Sequence, residues 1–314
     1  MTLESKTLIV AHDAGGAEVL SAWVKRNIDD TFIFHLNGPA KKIFLKKLPI
    51  IKECSEDEMW RMIDSGQIQL AFTASSFISV EKAVITTCLE KKIKVITLLD
   101  HWVHLRERFG FPDPEWSSMV SDEVWCGDEH VFQLCKDLKF PVEKLKIVNN
   151  CYWDEIKEEA TQINIPCNQN GILYIAEPVR EHSEAIHGDK NYLGYDEYSC
   201  LEYFFDLMTK LGNEKFDITI RPHPSEEVDK YFYLFKKHPE FAQLKIELKR
   251  TLIEDCLSNR VVVGADTMGL VIGIILGKLV FTTIPPEGKK SNLPFSQILP
   301  LTEFNVKYCI DDRE

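Results

Sequence analysis

Short runs of β-branched and aliphatic residues alternate twice over with helix-like segments along this chain, and that repeat restricts the fold more than any other feature. Residues 7–11 (Thr-Leu-Ile-Val-Ala) read as a buried strand, as do 31–36, 69–73, 94–99 and 123–126. Helical patterns at 17–26, 56–63, 80–90 and 129–138 fall between them. Strands separated by helices make a mostly parallel sheet covered on both faces. The alternation lapses at Asn149-Asn150-Cys151-Tyr152-Trp153, where an acidic helix to about residue 160 and a polar, Pro-containing stretch at 164–170 predict a crossover between domains. It then restarts. Strands are expected at 172–176, 216–220, 243–248, 260–264 and 279–283, and helices at 198–211, 227–237, 252–257 and 269–276. A chain of 314 residues is long for one hydrophobic core. The expectation is therefore an α/β protein of two Rossmann-like, doubly wound domains, residues 1–150 and 151–314, facing across a cleft.

Charge and cysteine usage narrow the partners. A net charge of -12 repels the phosphate backbone, which argues against nucleic acid and against broad contact with anionic membranes. Lys41, Lys42, Lys46 and Lys47 form the exception, either a solvated helix face or a point of peripheral membrane contact. Nine cysteines at 54, 88, 126, 135, 151, 167, 200, 256 and 309 show neither C-x-x-C spacing nor a Cys/His zinc pattern. They read as free, mostly buried thiols of a reducing compartment. The polar start at residues 1–6 has no signal-peptide core, and the apolar run at 269–280 is too short to span a bilayer and carries Lys278. A cytoplasmic protein without a metal site is expected, with no reading of oligomeric state.

Ligands of doubly wound sheets bind at the carboxyl ends of the strands, so five loops there are the candidates. In Arg221-Pro222-His223-Pro224 two prolines fix a guanidinium and an imidazole beyond a strand, suiting a phosphate. The structural alternative is a rigid turn whose Arg pairs with a carboxylate. In Gly264-Ala265-Asp266-Thr267-Met268-Gly269 small residues and a helix start offer backbone N–H groups to an anion, or Asp266 or Thr267 merely caps the helix. His12-Asp13-Ala14-Gly15-Gly16 offers Asp13 or His12 as a general base, or Asp13 as a cap. Asp100-His101-Trp102, with Arg106 and Arg108, suits sugar or acceptor binding, or packs as an ordinary loop. Glu177-Pro178 offers a ribose or base acceptor. Arg180, His182, His187 and Tyr195 follow in what reads as a long polar loop that closes over a ligand.

With the Arg-Pro-His-Pro and Gly-Ala-Asp-Thr-Met-Gly stretches in view, the chain resembles GT-B-fold glycosyltransferases. More narrowly it resembles bacterial sialyltransferases and polysialyltransferases, with their His-Pro motif, and CDP-glycerol glycerophosphotransferases, with Arg-Pro-His-Pro. The resemblance implies that His223 and Thr267 hold the donor phosphate. Arg221, Asp266, Met268 and Gly269 join that set by charge and position. Glu177 and Pro178 are expected at the nucleotide. Asp13, His12, Asp100 and His101 are the catalytic candidates. Gly15, Gly16, Trp102, Arg106, Arg108 and Arg180 are expected at the acceptor or sugar. Two departures stand out: Asp13-Ala14-Gly15 replaces the acidic-acidic-Gly motif, and Thr267 stands alone where paired hydroxyls are the pattern.

The implied activity is metal-independent transfer from a CMP-activated, sialic-acid-like donor to a surface glycan, with no cofactor beyond the nucleotide sugar. The rivals are a CDP-polyol-phosphate transferase, a UDP-sugar epimerase or hydrolase that needs no acceptor, and a non-catalytic nucleotide-binding protein.

Overall fold

The structure is a computed structural model, and it describes residues 6–75, 79–212 and 216–304. The chain divides into two compact units, Met1–Glu155 and Ile156–Glu314. Cys309 lies outside the described residues.

In the first unit β1 (Lys6–Ala11), β2 (Phe32–Leu36), β3 (Ile68–Thr73), β4 (Lys94–Leu99), β5 (Glu123–Cys126) and β6 (Leu145–Ile147) form one sheet in the order β2-β1-β3-β4-β5-β6. Every pairing is parallel. Leu8, Ile9 and Val10 are essentially inaccessible, because helices cover both faces of a parallel sheet and leave no polar side to alternate with. The helices are α1 (Ala14–Arg26), α2 (Gly38–Lys47), α3 (Glu56–Asp64), α4 (Ser79–Glu90), α5 (Glu129–Asp137) and α6 (Cys151–Gln162). α1 packs through Trp23, whose ring centroid lies 4.4 Å from Phe72 and 5.4 Å from Trp125. Aromatic rings in such tilted contacts supply large buried area at fixed geometry.

The second unit has β7 (Asn168–Ile175), β8 (Asp217–Arg221), β9 (Lys245–Ile246), β10 (Asn259–Gly264), β11 (Leu279–Thr282) and β12 (Ile298–Pro300), in the order β12-β11-β10-β7-β8-β9 and again all parallel. The accompanying helices are α7 (Val179–His187), α8 (Glu197–Lys210), α9 (Tyr233–Lys237), α10 (Leu252–Ser258) and α11 (Met268–Ile275). Phe204 and Phe205 of α8 pack with Tyr174 of β7 and Phe281 of β11 in its core. From β7 the chain builds outward through β8 and β9, then returns to the other side of β7 for β10, β11 and β12. That reversal is the dinucleotide-fold strand order, and it puts the topological switch point between β7 and β10. In the first unit the switch lies between β1 and β3 for the same reason.

The fold class matches the sequence expectation: two doubly wound α/β domains. Four elements were not foreseen. β6 and β12 are three-residue edge strands, too short for any periodicity. α2 begins with Asn37 as N-cap and Pro39 in its first turn, a start signal that the sequence reading passed over. α7 occupies what was expected to be a mobile polar loop carrying His182 and His187, and only Val179 and Ser183 of it are buried. Two further stretches are more broken than expected. The helix foreseen at 227–237 is a 3-10 turn, Val228–Tyr231, followed by the five-residue α9. The stretch at 164–170 is not all linker, since β7 already starts at Asn168.

No helix of the described residues is long and apolar enough to cross a membrane. In the basic cluster, Lys41 pairs with Glu53 at 2.7 Å, while Lys47 pairs with Glu155 at 2.6 Å and also with Glu18. The eight described cysteines are free thiols, and burial pushes those of Cys88 and Cys256 up to about 12, which keeps them protonated and inert.

Candidate functional site

At the switch point of the second unit, the turn after β7 presents Glu177 and the turn after β10 presents Thr267. Thr267 is the N-cap of α11: its hydroxyl oxygen accepts from the Gly269 N–H at 3.2 Å, and the same hydroxyl bonds the Glu177 side chain. Burial pushes the Glu177 carboxyl up to about 8. Thr267 opposes that rise, and the negative charges of Asp266 and Glu226 add to it. Glu177 is therefore mostly protonated at neutral pH, a hydrogen-bond donor as well as an acceptor.

His223 lies beyond the end of β8. Its Nδ1 accepts from the Ser225 backbone N–H at 3.2 Å and lies 2.7 Å from the Ser225 hydroxyl. Accepting at Nδ1 leaves the proton of the neutral ring on Nε2, the outward edge. Burial and the neighbouring His182, whose ring centroid is 5.9 Å away, hold the imidazole below its ordinary pKa against a weaker opposite pull from Glu226. The switch point thus presents a protonated carboxyl beside a helix start, and the end of the neighbouring strand β8 a neutral N–H donor, all able to meet oxygen acceptors.

Three expectations for this unit are corrected. Arg221 is not available to a phosphate. It is buried, and its Nη1 bonds the Asp255 carboxylate at 2.5 Å and the Arg250 carbonyl at 2.8 Å, which is the structural alternative with a buried partner. Asp266 does not line a phosphate cradle either: its carboxylate accepts from Ser291 and from the backbone and side chain of Asn292, holding that loop. Gly269 is small for packing. A Cβ there would come within 2.5 Å of Ile175 Cδ1, so the residue lets α11 approach β7 rather than a ligand. Met268 opens α11, and Pro178 takes the N-cap position of α7. Tyr195 is buried with Val179, Cys200 and Ala265, and the Arg180 guanidinium lies 6.0 Å from the Tyr198 ring.

Replacing Arg221 by Met strands the Asp255 carboxylate in a buried position, and this should cost about 3–5 kcal/mol of stability. Chemical denaturation measures that loss.

In the first unit the loop after β1 carries a His–Asp pair. Asp13 has the N-cap position of α1 but makes no side-chain cap bond. Its Oδ1 instead lies 2.7 Å from His12 Nδ1. The His12 backbone N–H donates to the buried Glu81 at 2.9 Å, which fixes the loop. Gly38 packs closely on the ring: a Cβ there would lie 2.7 Å from His12 Nε2, so a larger residue would push the imidazole out of place. With Nδ1–H donating to Asp13, Nε2 is the free base, and side-chain exposures of 29% and 41% leave the pair open to a ligand.

The other candidates of this unit serve structure. Asp100 and Arg108 are buried against each other at 3.1 Å, and both bond Ser75. Asp100 is thus held as a neutralised ion pair rather than presented as a base, and Arg108 is not offered to an acceptor. The Trp102 ring is buried and its Nε1–H donates to Asp128 at 3.0 Å, so its face is not a sugar platform. His101 Nδ1 accepts from the Trp102 backbone N–H. Arg106 lies over Phe111, with its guanidinium carbon 4.0 Å from the ring centroid. Gly15 and Gly16 are small because α1 starts hard against Asp100 and Ala74, not to admit a sugar.

Glu81 and Glu226 escaped the sequence reading. Only the four-residue spacing of Glu226 and Lys230 hinted at a local pair. Among the described residues no group of three or more His, Cys, Asp or Glu side chains is placed to hold a metal ion.

No protein-family model matches the sequence, and no curated protein matches it. The fold does match solved structures. A Staphylococcus aureus MnaA structure with UDP superposes with a TM-score of 0.59 at 10% identity, over 88% of this chain and 79% of that one. UDP-N-acetylglucosamine 2-epimerase from Rickettsia bellii gives 0.57 at 10% identity, over 92% and 80%. UDP-GlcNAc 2-epimerase from Neisseria meningitidis, bound to UDP-GlcNAc, gives 0.53 at 13% identity, over 84% and 78%. At such identities the likeness is one of fold. It gives no support to the narrower resemblance to sialyltransferases.

Proposed function

We propose that this protein is a nucleotide-sugar enzyme that binds a UDP-linked sugar on its second unit and epimerises it without an acceptor. The observation that carries the reading is the pair Glu177 and Thr267 at the switch point, with His223 beyond the neighbouring strand β8, on a fold shared with structures that hold UDP and UDP-GlcNAc. The His223 Nε2–H and the start of α11 face diphosphate oxygens, and Glu177 in its protonated form shares a hydrogen bond with a ribose hydroxyl. A protonated carboxyl matters here, because an ionised one would repel the diphosphate.

Removal of the proton from the carbon next to the anomeric centre sends its electron pair into a C=C bond as the anomeric C–O bond to UDP breaks. Epimerisation is completed when the UDP oxygen re-adds at the anomeric carbon and a solvent-derived proton reaches the opposite face of its neighbour. His12, with Asp13 stabilising the imidazolium, is the base for the proton removal. Cytidine-donor transfer draws on the same His223 and Thr267, and what favours a UDP-linked sugar is that the structures sharing this fold hold UDP and UDP-GlcNAc.

Two measurements test the reading. In thermal shift, UDP at about one hundred times its dissociation constant should add roughly 2.7 kcal/mol of stability. His223→Ala should abolish most of that shift, and CMP should give little. In D2O, UDP-GlcNAc incubated with the protein alone should acquire deuterium at the epimerised carbon, seen as loss of its proton NMR signal. Stabilisation by CMP alone, with turnover of a CMP-sugar only when a glycan acceptor is present, would restore the transferase and end this proposal. Release of free UDP without deuterium incorporation would identify a hydrolase.

A further inference from the structure

Behind the His223 loop lies a network of charged side chains that the nucleotide reading does not use. Lys230 Nζ lies 2.7 Å from Glu197 Oε1 and 2.7 Å from Glu226 Oε1. Both carboxylates are almost wholly buried, with side-chain exposures of 2% and 4%. Each holds a different strand-end turn with its second oxygen. Glu197 Oε2 accepts from the Arg180 backbone N–H at 3.1 Å, in the first turn of α7 just after Glu177-Pro178. Glu226 Oε2 accepts from the His223 backbone N–H at 3.1 Å, and the Tyr231 hydroxyl also donates to Glu226. One ammonium group thus joins the turn after β7 to the turn after β8. Lys230 is itself only 17% exposed, and the more exposed Glu181 approaches it at 3.5 Å.

Two buried carboxylates this close are stable together only with a cation between them. Without the ammonium their repulsion drives the two turns apart or draws water between them. A lysine in a 3-10 turn has no local need of such partners, and the surface pair Lys237–Glu202 shows what an ordinary one looks like here.

We infer that Lys230 is a positioning residue for the nucleotide site: by bridging Glu197 and Glu226 it fixes the start of α7, and with it Glu177, at one separation from His223. This rests on the nucleotide reading for its functional consequence but not for its geometry.

The test compares Lys230→Met and Lys230→Arg in the full chain, with Lys237→Met as the surface control and Glu226→Gln as a second route should Lys230→Met fail to fold. The first readout needs no ligand: the His223 ring titration followed by NMR. His182 and Glu226 are the charged groups that act on that ring. With the Lys230 charge gone, Glu226 acts on His223 uncompensated and the ring titrates at higher pH. Lys230→Arg and Lys237→Met leave it in place, and Glu226→Gln moves it down.

The second readout is UDP affinity. It should fall about tenfold in Lys230→Met, recover in Lys230→Arg, and show little further loss when Lys230→Met is added to His223→Ala, because the two act through one contact. An unchanged His223 titration in both Lys230→Met and Glu226→Gln overturns the inference, as does full UDP affinity in a folded Lys230→Met. If the wild type binds no UDP while the titration shifts as described, the positioning role stands and the ligand reading falls.

Discussion

Replacing Asp13 by Asn should slow the proposed epimerisation by about 10²–10⁴-fold while leaving UDP affinity within about twofold. The geometry gives the reason. Asp13 does not cap α1. Its carboxylate lies against His12 Nδ1 at 2.7 Å, which leaves Nε2 as the basic nitrogen of the neutral ring. Asn keeps the shape but removes the charge that holds the ring in the right tautomer and stabilises the imidazolium once a proton is taken. His12→Ala removes the base itself and should fall in the same range. The double variant should be little worse than the weaker single one, because the pair acts as one unit. The separation of effects is the informative part, since His12 and Asp13 are assigned to the proton and Glu177, Thr267 and His223 to the nucleotide. Steady-state kinetics alongside UDP titration reads both quantities. Turnover within about threefold of wild type for both single variants would show that the pair only shapes the loop.

The second large effect is a pH dependence centred on Glu177. Its ordinary pKa of 4.5 is raised by burial to about 8 in the folded protein. Between those values the unfolded chain ionises while the folded one stays protonated. The stability that Glu177 lends is therefore fully present below about pH 4.5 and is lost as pH rises through about 8. Each unit of difference is worth about 1.4 kcal/mol, so the loss across this window is on the order of a few kcal/mol. Glu177→Gln keeps the shape without the titration, and its stability relative to wild type should climb steadily from pH 5 to pH 8 in denaturation curves, which spans most of that window. Binding follows the same proton. A diphosphate favours the neutral carboxyl, so UDP affinity should drop above about pH 8 in wild type and stay flatter in Glu177→Gln. Parallel stability curves for the two proteins would mean that Glu177 is ionised in the folded state.

The two predictions draw on different features of the chain, and so did their legibility. The βα alternation, the division near residue 150 and the strand-end loops are local patterns, and the strands at 94–99 and 123–126 fall where the hydrophobic runs put them. Loop position put His12, Asp13, Glu177, His223 and Thr267 forward as candidates, on the same footing as Arg221, Asp266, Asp100 and Arg108. Which charged residues remain available for chemistry was not legible, because their partners are distant in sequence. Arg221 and Asp255 are 34 residues apart, Arg108 and Ser75 are 33, and Lys230 and Glu197 are 33.

Periodicity and turn chemistry depend on neighbours along the chain, so the sequence by itself determined two doubly wound domains and the loops that crown them. Pairing and desolvation depend on neighbours in space. Only the tertiary structure therefore decided that Arg221, Asp100, Arg108 and Asp266 serve architecture, while Glu177 is left protonated at the switch point and His12 is left with Asp13.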